Sequence, residues 1–168
     1  MNIFPANFTG RNRIKPIRKT EAAECGLAAL AMIANWHGHD LDLNNLRQRF
    51  GVSARGITLR QLMQTADAMQ LLSRPLKMEM AGLRSLQLPA ILHWDLDHFL
   101  VLEQIDRDRA YIVDPAGTAR WYDFDELGRH FSGVALELRP SSDFQPVRSK
   151  QRLRFTDLWS GITGVRRA

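Results

Sequence analysis

The chain has 168 residues, room for one domain with a proper core, and its hydrophobic fraction of 45% is ordinary for a globular protein. A single cysteine allows no internal disulfide, so the chain needs no oxidising compartment. The net charge of +5 sits at the ends: residues 1–19 carry five Lys/Arg and no acid, residues 141–168 carry six Lys/Arg and two Asp, and residues 20–140 hold 12 Lys/Arg against 16 Asp/Glu.

That distribution argues against a nucleic-acid partner, whose binding domain would carry a basic patch on its folded body. Basic flanks suit either solvated tails or segments lying beside an anionic cytoplasmic membrane face. Met1–Gly10 has no charged start and no continuous apolar run, so it is not a signal peptide. The longest unbroken apolar stretch, Gly26–Ala34, is far short of the ~18 residues a membrane span needs.

The helical signals come first. Thr20 is placed to cap a helix that starts near Cys25 and runs to Trp36, with Gly38 as its stop. Asp40 or Asp42 caps a short helix carrying Leu43, Leu46 and Phe50, broken by Gly51. Thr58 caps a third, on which Leu59, Leu62, Met63, Ala66 and Met69 form a stripe. After residue 71 the period changes. LSRPLKM, AILHW, HFLVLEQI, AYIVD, ARWYDF and GVALEL read as strands. AGLRSLQL reads as a turn of helix and DELGRHF as a short one. DRDR, residues 106–109, is the hairpin turn between two of the strands. HFLVLEQI is apolar on both faces, so it should be central and covered on both sides. Helices followed by a mostly antiparallel sheet give an α+β class. The expected organisation is a basic tail at 1–18, one domain at 19–140 and a basic linker at 141–168.

Cys25 stands at a helix start, where the dipole lowers a thiol pKa. Gly26 after it would leave space above the sulfur for a substrate backbone. Set against this, a lone cysteine among alanines is more often packing. His98 adds to the case, because a histidine in an apolar strand needs a partner for each ring nitrogen. Asp114 ends the neighbouring strand, and in a hairpin turning at 106–109 it falls near His98. A carboxylate facing an imidazole is the base-and-orienter arrangement of a Cys-His-Asp site. The plainer reading is a buried His-Asp pair that satisfies only itself.

The other candidates are weaker. His37 and His39 flank Gly38 without further metal ligands. His93 and His98, taken as five apart on one strand, point to opposite faces. Asp95 and Asp97 read as solvated. No Gly-rich turn followed by Lys-Ser/Thr suggests a nucleotide site. No metal or cofactor is expected.

The stretches TEAAECGLAALAMIANWHG, LPAILHWDLDHFLVLE, YIVDPAGTARW and FSGVALEL resemble, in order and spacing, the C39 peptidase domain. This is the amino-terminal domain of bacterial ABC exporters that process and secrete bacteriocins, and the likeness is closest to the colicin V exporter group. The resemblance implies a papain-like cysteine peptidase fold and cleavage of a leader peptide after a Gly-Gly or Gly-Ala pair. It implies Cys25 as nucleophile, His98 as general base and acid, and Asp114 as orienter. Its partners would be the leader peptide of a secreted precursor and the exporter's membrane and nucleotide-binding domains. ATP would bind only in the latter, and the domain would lie at the cytoplasmic face of the bacterial inner membrane.

One position departs from the family. Its oxyanion-hole glutamine, six residues before the cysteine, is Lys19 here. Lys19 can donate to an oxyanion, pair with the thiolate, or simply continue the basic tail. Two functions therefore stand. One is a double-glycine leader peptidase, slowed by the replacement. The other is a C39-like domain that recruits cargo without cutting it. The survival of all three triad positions favours the enzyme.

Overall fold

The computed structural model describes residues 13–51 and 56–147. The expectations for 1–12 and 148–168 lie outside them. Three helices lead, α1 (Cys25–Trp36), α2 (Leu43–Phe50) and α3 (Leu59–Ala68). The strands follow: β1 (Leu71–Lys77), β2 (Ala90–Trp94), β3 (His98–Asp106), β4 (Arg109–Asp114), β5 (Thr118–Asp123) and β6 (Phe131–Pro140), with a short α4 (Phe124–His130) before the last. All pairings are antiparallel, in the order β1-β6-β2-β3-β4-β5. The α+β class and the order of elements follow the sequence pattern.

α1 is buried all round from Cys25 to Ala34. Its Ala, Leu and Met residues are strong helix formers, and it has no polar face to show to water. It lies against β3 on one face of the sheet, where Leu27, Leu30, Ile33, Leu62, Ile91, Phe99 and Val101 share a core. Leu100 and Leu102 point the other way, into a second core with Leu83, Ala110, Ile112 and Leu127. The apolar run of β3 is thus central and covered on both sides. β1 carries Pro75 and lies at an edge, where a missing N–H costs least.

Asp42 caps α2 by accepting from the Asn45 N–H at 2.7 Å. Thr58 caps α3 in a reciprocal box with Gln61. Gly38 and Gly51 end α1 and α2 at positive φ.

Two expectations need correction. Thr20 does not cap α1. A single 3-10 turn, Ala22–Glu24, precedes the helix, and the Glu24 carboxylate reaches back to the Thr20 and Glu21 N–H groups at 2.9 and 3.0 Å. The polarity of the cap is reversed because glutamate is long enough to fold back over one turn. His93 and His98 do not share a strand either. A tight turn at 95–97, with Asp95 and Leu96 at positive φ, separates β2 from β3 and pairs Trp94 with His98. His93 instead packs on Phe99 with ring centroids 5.0 Å apart. The β3–β4 turn pairs Asp106 with Arg109, where the hairpin turn was expected, and a bulge between Leu102 and Gln104 shifts the register to Val101↔Val113. Continued by one pair, this register sets Asp114 opposite Leu100, so His98 and Asp114 are diagonal rather than direct neighbours.

Candidate active site

Three elements converge. α1 brings Cys25 at its first residue, β3 brings His98 at its first, and β4 brings Asp114 at its last. His98 Nε2 and Asp114 Oδ1 are 2.8 Å apart, with the two side chains 17% and 18% exposed. With Nε2 committed to the carboxylate, Nδ1 is the ring atom left to act on Cys25, whose thiol pKa His98 lowers. The Ala116 N–H donates to the same Asp114 oxygen at 2.7 Å. Pro115 turns the chain there and Gly117, at positive φ, completes the turn. The carboxylate is therefore fixed by its own loop before it meets the imidazole.

The electrostatics are those of an ion pair. Asp114 and Cys25 hold the His98 imidazolium, raising its pKa from 6.5 to about 9. Burial pushes the Cys25 thiol up, but His98 and the Phe99 N–H outweigh it and leave the pKa below the ordinary value. Asp114 follows the same pattern, pushed up by burial and brought below the carboxylate range by His98 and Ala116. Between the two pKa values of the pair, thiolate and imidazolium coexist.

Gly26 is required, for a reason other than the one expected. A Cβ there would stand 2.4 Å from Ile57 Cγ2 and 3.0 Å from Phe99 Cδ2. These side chains fill the space on the Gly26 side of the helix start, and Cys25 itself is only 5% exposed.

Lys19 belongs to this site. Its backbone N–H donates to the Pro115 carbonyl at 2.9 Å, which ties it to the corner holding Asp114. The side chain is half-buried, and its positive charge lowers the pKa of both Cys25 and Asp114. It does not simply continue an outward basic tail.

The remaining histidines are used elsewhere. His37 Nε2 donates to the Leu138 carbonyl at 3.2 Å, and His39 bridges the Met69 carbonyl and the Val147 N–H. His130 pairs with Asp95 at 2.8 Å. Among the described residues no cluster of His, Cys, Asp or Glu is arranged to hold a metal. A cavity of about 620 Å³ between α2, the end of α3 and Gln145–Val147 lies away from Cys25 and includes none of the three site residues.

Glu24, read in the sequence as a group that could draw Lys19 away to solvent, is instead only 1% exposed and accepts from Nε of Arg47 on α2, a partner the sequence did not point to. The available signal was a carboxylate in AAEC, directly before the candidate nucleophile in an apolar run.

Comparison with known proteins gives this geometry a lineage. The chain is 42% identical to the colicin V secretion/processing ATP-binding protein CvaB of Escherichia coli, over 94% of this chain and 22% of that protein. It is 40% identical to the probable microcin-H47 secretion/processing ATP-binding protein MchF of Escherichia coli, over the same shares. The chain thus spans about a fifth of the length of these relatives. Among solved structures, it superposes on a double glycine motif protease from an AMS/PCAT transporter, determined with its leader peptide. There the TM-score is 0.72 and the identity 31%, over 80% of this chain and 96% of the other. The peptidase domain of Streptococcus ComA shares the fold, with a TM-score of 0.71 at 22% identity, over 77% of this chain and all of the other. The pattern of the Peptidase C39 family matches residues 13–143, and the chain belongs to that family.

Proposed function

We propose that this chain is the cysteine peptidase domain of an exporter and that it cuts the leader from a bacteriocin- or microcin-like precursor after a double-glycine pair. The observation that carries the reading is the convergence of Cys25, His98 and Asp114 as an ion-paired triad. The names of its relatives, colicin V and microcin secretion/processing proteins, and a leader-bound double-glycine protease of the same fold supply the substrate class.

The chemistry follows from the geometry. The Cys25 thiolate attacks the carbonyl carbon of the last leader residue. His98, already protonated, gives its Nδ1 proton to the departing amine, and the peptide bond breaks to leave a thioester on Cys25. Neutral His98 then takes a proton from water, hydroxide adds to the thioester, and the leader acid leaves as the thiolate is restored. Asp114 holds Nε2–H throughout and keeps the ring aimed. Lys19 takes the position at which the family resemblance puts an oxyanion donor, and in this reading it offers its charge to the developing oxyanion.

In this reading residues 19–140 are the catalytic domain. Residues 141–168 are a basic linker toward a membrane domain, and the site faces the cytoplasm at the inner membrane. No described helix is long and apolar enough to cross a membrane, so attachment would come from the rest of the exporter. The test is cleavage of a synthetic precursor whose leader ends in Gly-Gly, against the same peptide ending in Gly-Leu. A cut confined to the Gly-Gly form supports the reading. Efficient cutting of both would mean a general papain-like protease.

A further inference from the structure

The side chains of Glu24 and Arg47 make no hydrogen bond to those of Cys25, His98 or Asp114, yet they form a heavily bonded ionic pair. Glu24 Oε2 accepts from Thr20 N at 2.9 Å, Thr20 Oγ1 at 2.9 Å and Glu21 N at 3.0 Å. Glu24 Oε1 accepts from Arg47 Nε. The same guanidinium donates from Nη1 to Asn44 at 2.8 Å and from Nη2 to Thr20 Oγ1. α2 is thereby stapled to the turn 20–21. On the other side of that turn, Lys19 is tied to Pro115.

Only the Glu24 end of this pair is buried, the Arg47 side chain being 32% exposed, and the desolvation of Glu24 offsets part of the attraction. What the network of bonds does beyond that is fix one geometry. Here the geometry fixed is that of the segment between Lys19 and Cys25. Only five residues separate them, and two of those, Thr20 and Glu21, are bound by the staple. We infer that Glu24 and Arg47 are positioning residues, holding the 19–21 turn, and with it Lys19 at the Pro115 corner, so that the Lys19 charge keeps its position relative to Cys25 and Asp114. This rests on the peptidase reading only for its cleavage arm.

The sign of one effect separates positioning from simple electrostatics. Removing the Glu24 anion next to Cys25 should by itself favour the thiolate and lower the thiol pKa, and the freed Arg47 cation would lower it further. Releasing Lys19 does the opposite. Glu24→Gln is therefore expected to move the pH midpoint of Cys25 alkylation by iodoacetamide upward. With a Gly-Gly leader peptide it should lower kcat roughly tenfold to hundredfold at unchanged KM, the cost of misplacing a site group by about 1 Å. In a Lys19→Met background neither change should appear, because the group being positioned is gone.

A downward or absent alkylation shift in Glu24→Gln overturns the inference. So does an equal loss in both backgrounds, which would mean a general effect on the fold. Should Glu24→Gln fail to fold, Arg47→Lys decides by the same readouts, since it keeps the charge but not the fork that reaches Asn44 and Thr20. The alkylation arm needs no leader, so it tests the staple even in a protein that cuts no double-glycine peptide.

Discussion

Replacing Asp114 by Asn removes one charge and little shape. The amide Oδ1 can still accept from His98 Nε2 and from the Ala116 N–H, both of which now meet a single oxygen of Asp114. The ring should stay in place, and the change should appear in its titration. His98 is raised from 6.5 to about 9, with Asp114 the largest cause and Cys25 the next. That rise corresponds to about 3.4 kcal/mol of preference for the imidazolium. A charge-assisted hydrogen bond is roughly twice as strong as a neutral one. If Asp114 supplies the larger part, the substitution should remove about 1–1.5 kcal/mol, or about one pH unit. The pH profile of single-turnover leader cleavage should keep its bell shape. Its alkaline limb should fall from near 9 toward 8 in Asp114→Asn, while Asp114→Ala, which loses orientation as well, should be slower at every pH. An alkaline limb that stays near 9 in the Asn variant would refute the assignment of Asp114 as the group holding the imidazolium.

Other consequences are open to direct measurement. Lys19→Met should raise the pH midpoint of Cys25 alkylation and slow leader cleavage by roughly 10²-fold, the cost of one oxyanion donor; Lys19→Gln should show the same alkylation shift but recover cleavage, and wild-type rates in the Met form would remove Lys19 from the site. Gly26→Ala should destabilise the domain in urea melts by about 1–3 kcal/mol, because Ile57 and Phe99 must give way; an unchanged midpoint would mean that they move freely. Glu24 has a folded pKa of about 2 against an ordinary 4.5, so its contribution is present above about pH 4.5 and is lost as pH falls toward 2. That shift is worth up to about 3 kcal/mol; acid melts of Glu24→Gln should therefore be flatter than wild type over that window, and parallel curves would contradict the ionised staple.

Much of this architecture can be read from periodicity. The bounds of α1, the Asp42 and Thr58 caps, and the central place of β3 follow from apolar spacing and cap chemistry that act over a few residues. The pairing of His98 with Asp114 was reachable by counting back from the hairpin turn, but only approximately. The bulge at 102–104 shifts the count, and diagonal neighbours still touch because both side chains are long enough. What stayed hidden depends on groups far apart in the chain. Arg47 meets Glu24 across 23 residues, and nothing in LRQRF marks one arginine over the other. Gly26 looked like an opening for substrate because the sequence does not place Ile57 and Phe99 above it. The tie of the Lys19 backbone to Pro115, at the Asp114 corner, was likewise hidden, because it joins residues far apart in the chain.

The central claim is that Cys25 is the nucleophile of a leader peptidase. It is tested most directly by incubating the wild-type domain and Cys25→Ala with one precursor carrying a Gly-Gly leader and weighing the products by mass spectrometry. The wild-type protein should release the leader cut after its second glycine, and the folded Ala form should release nothing. The same fragment from the Ala form, or no cleavage by the wild-type protein, would contradict the claim.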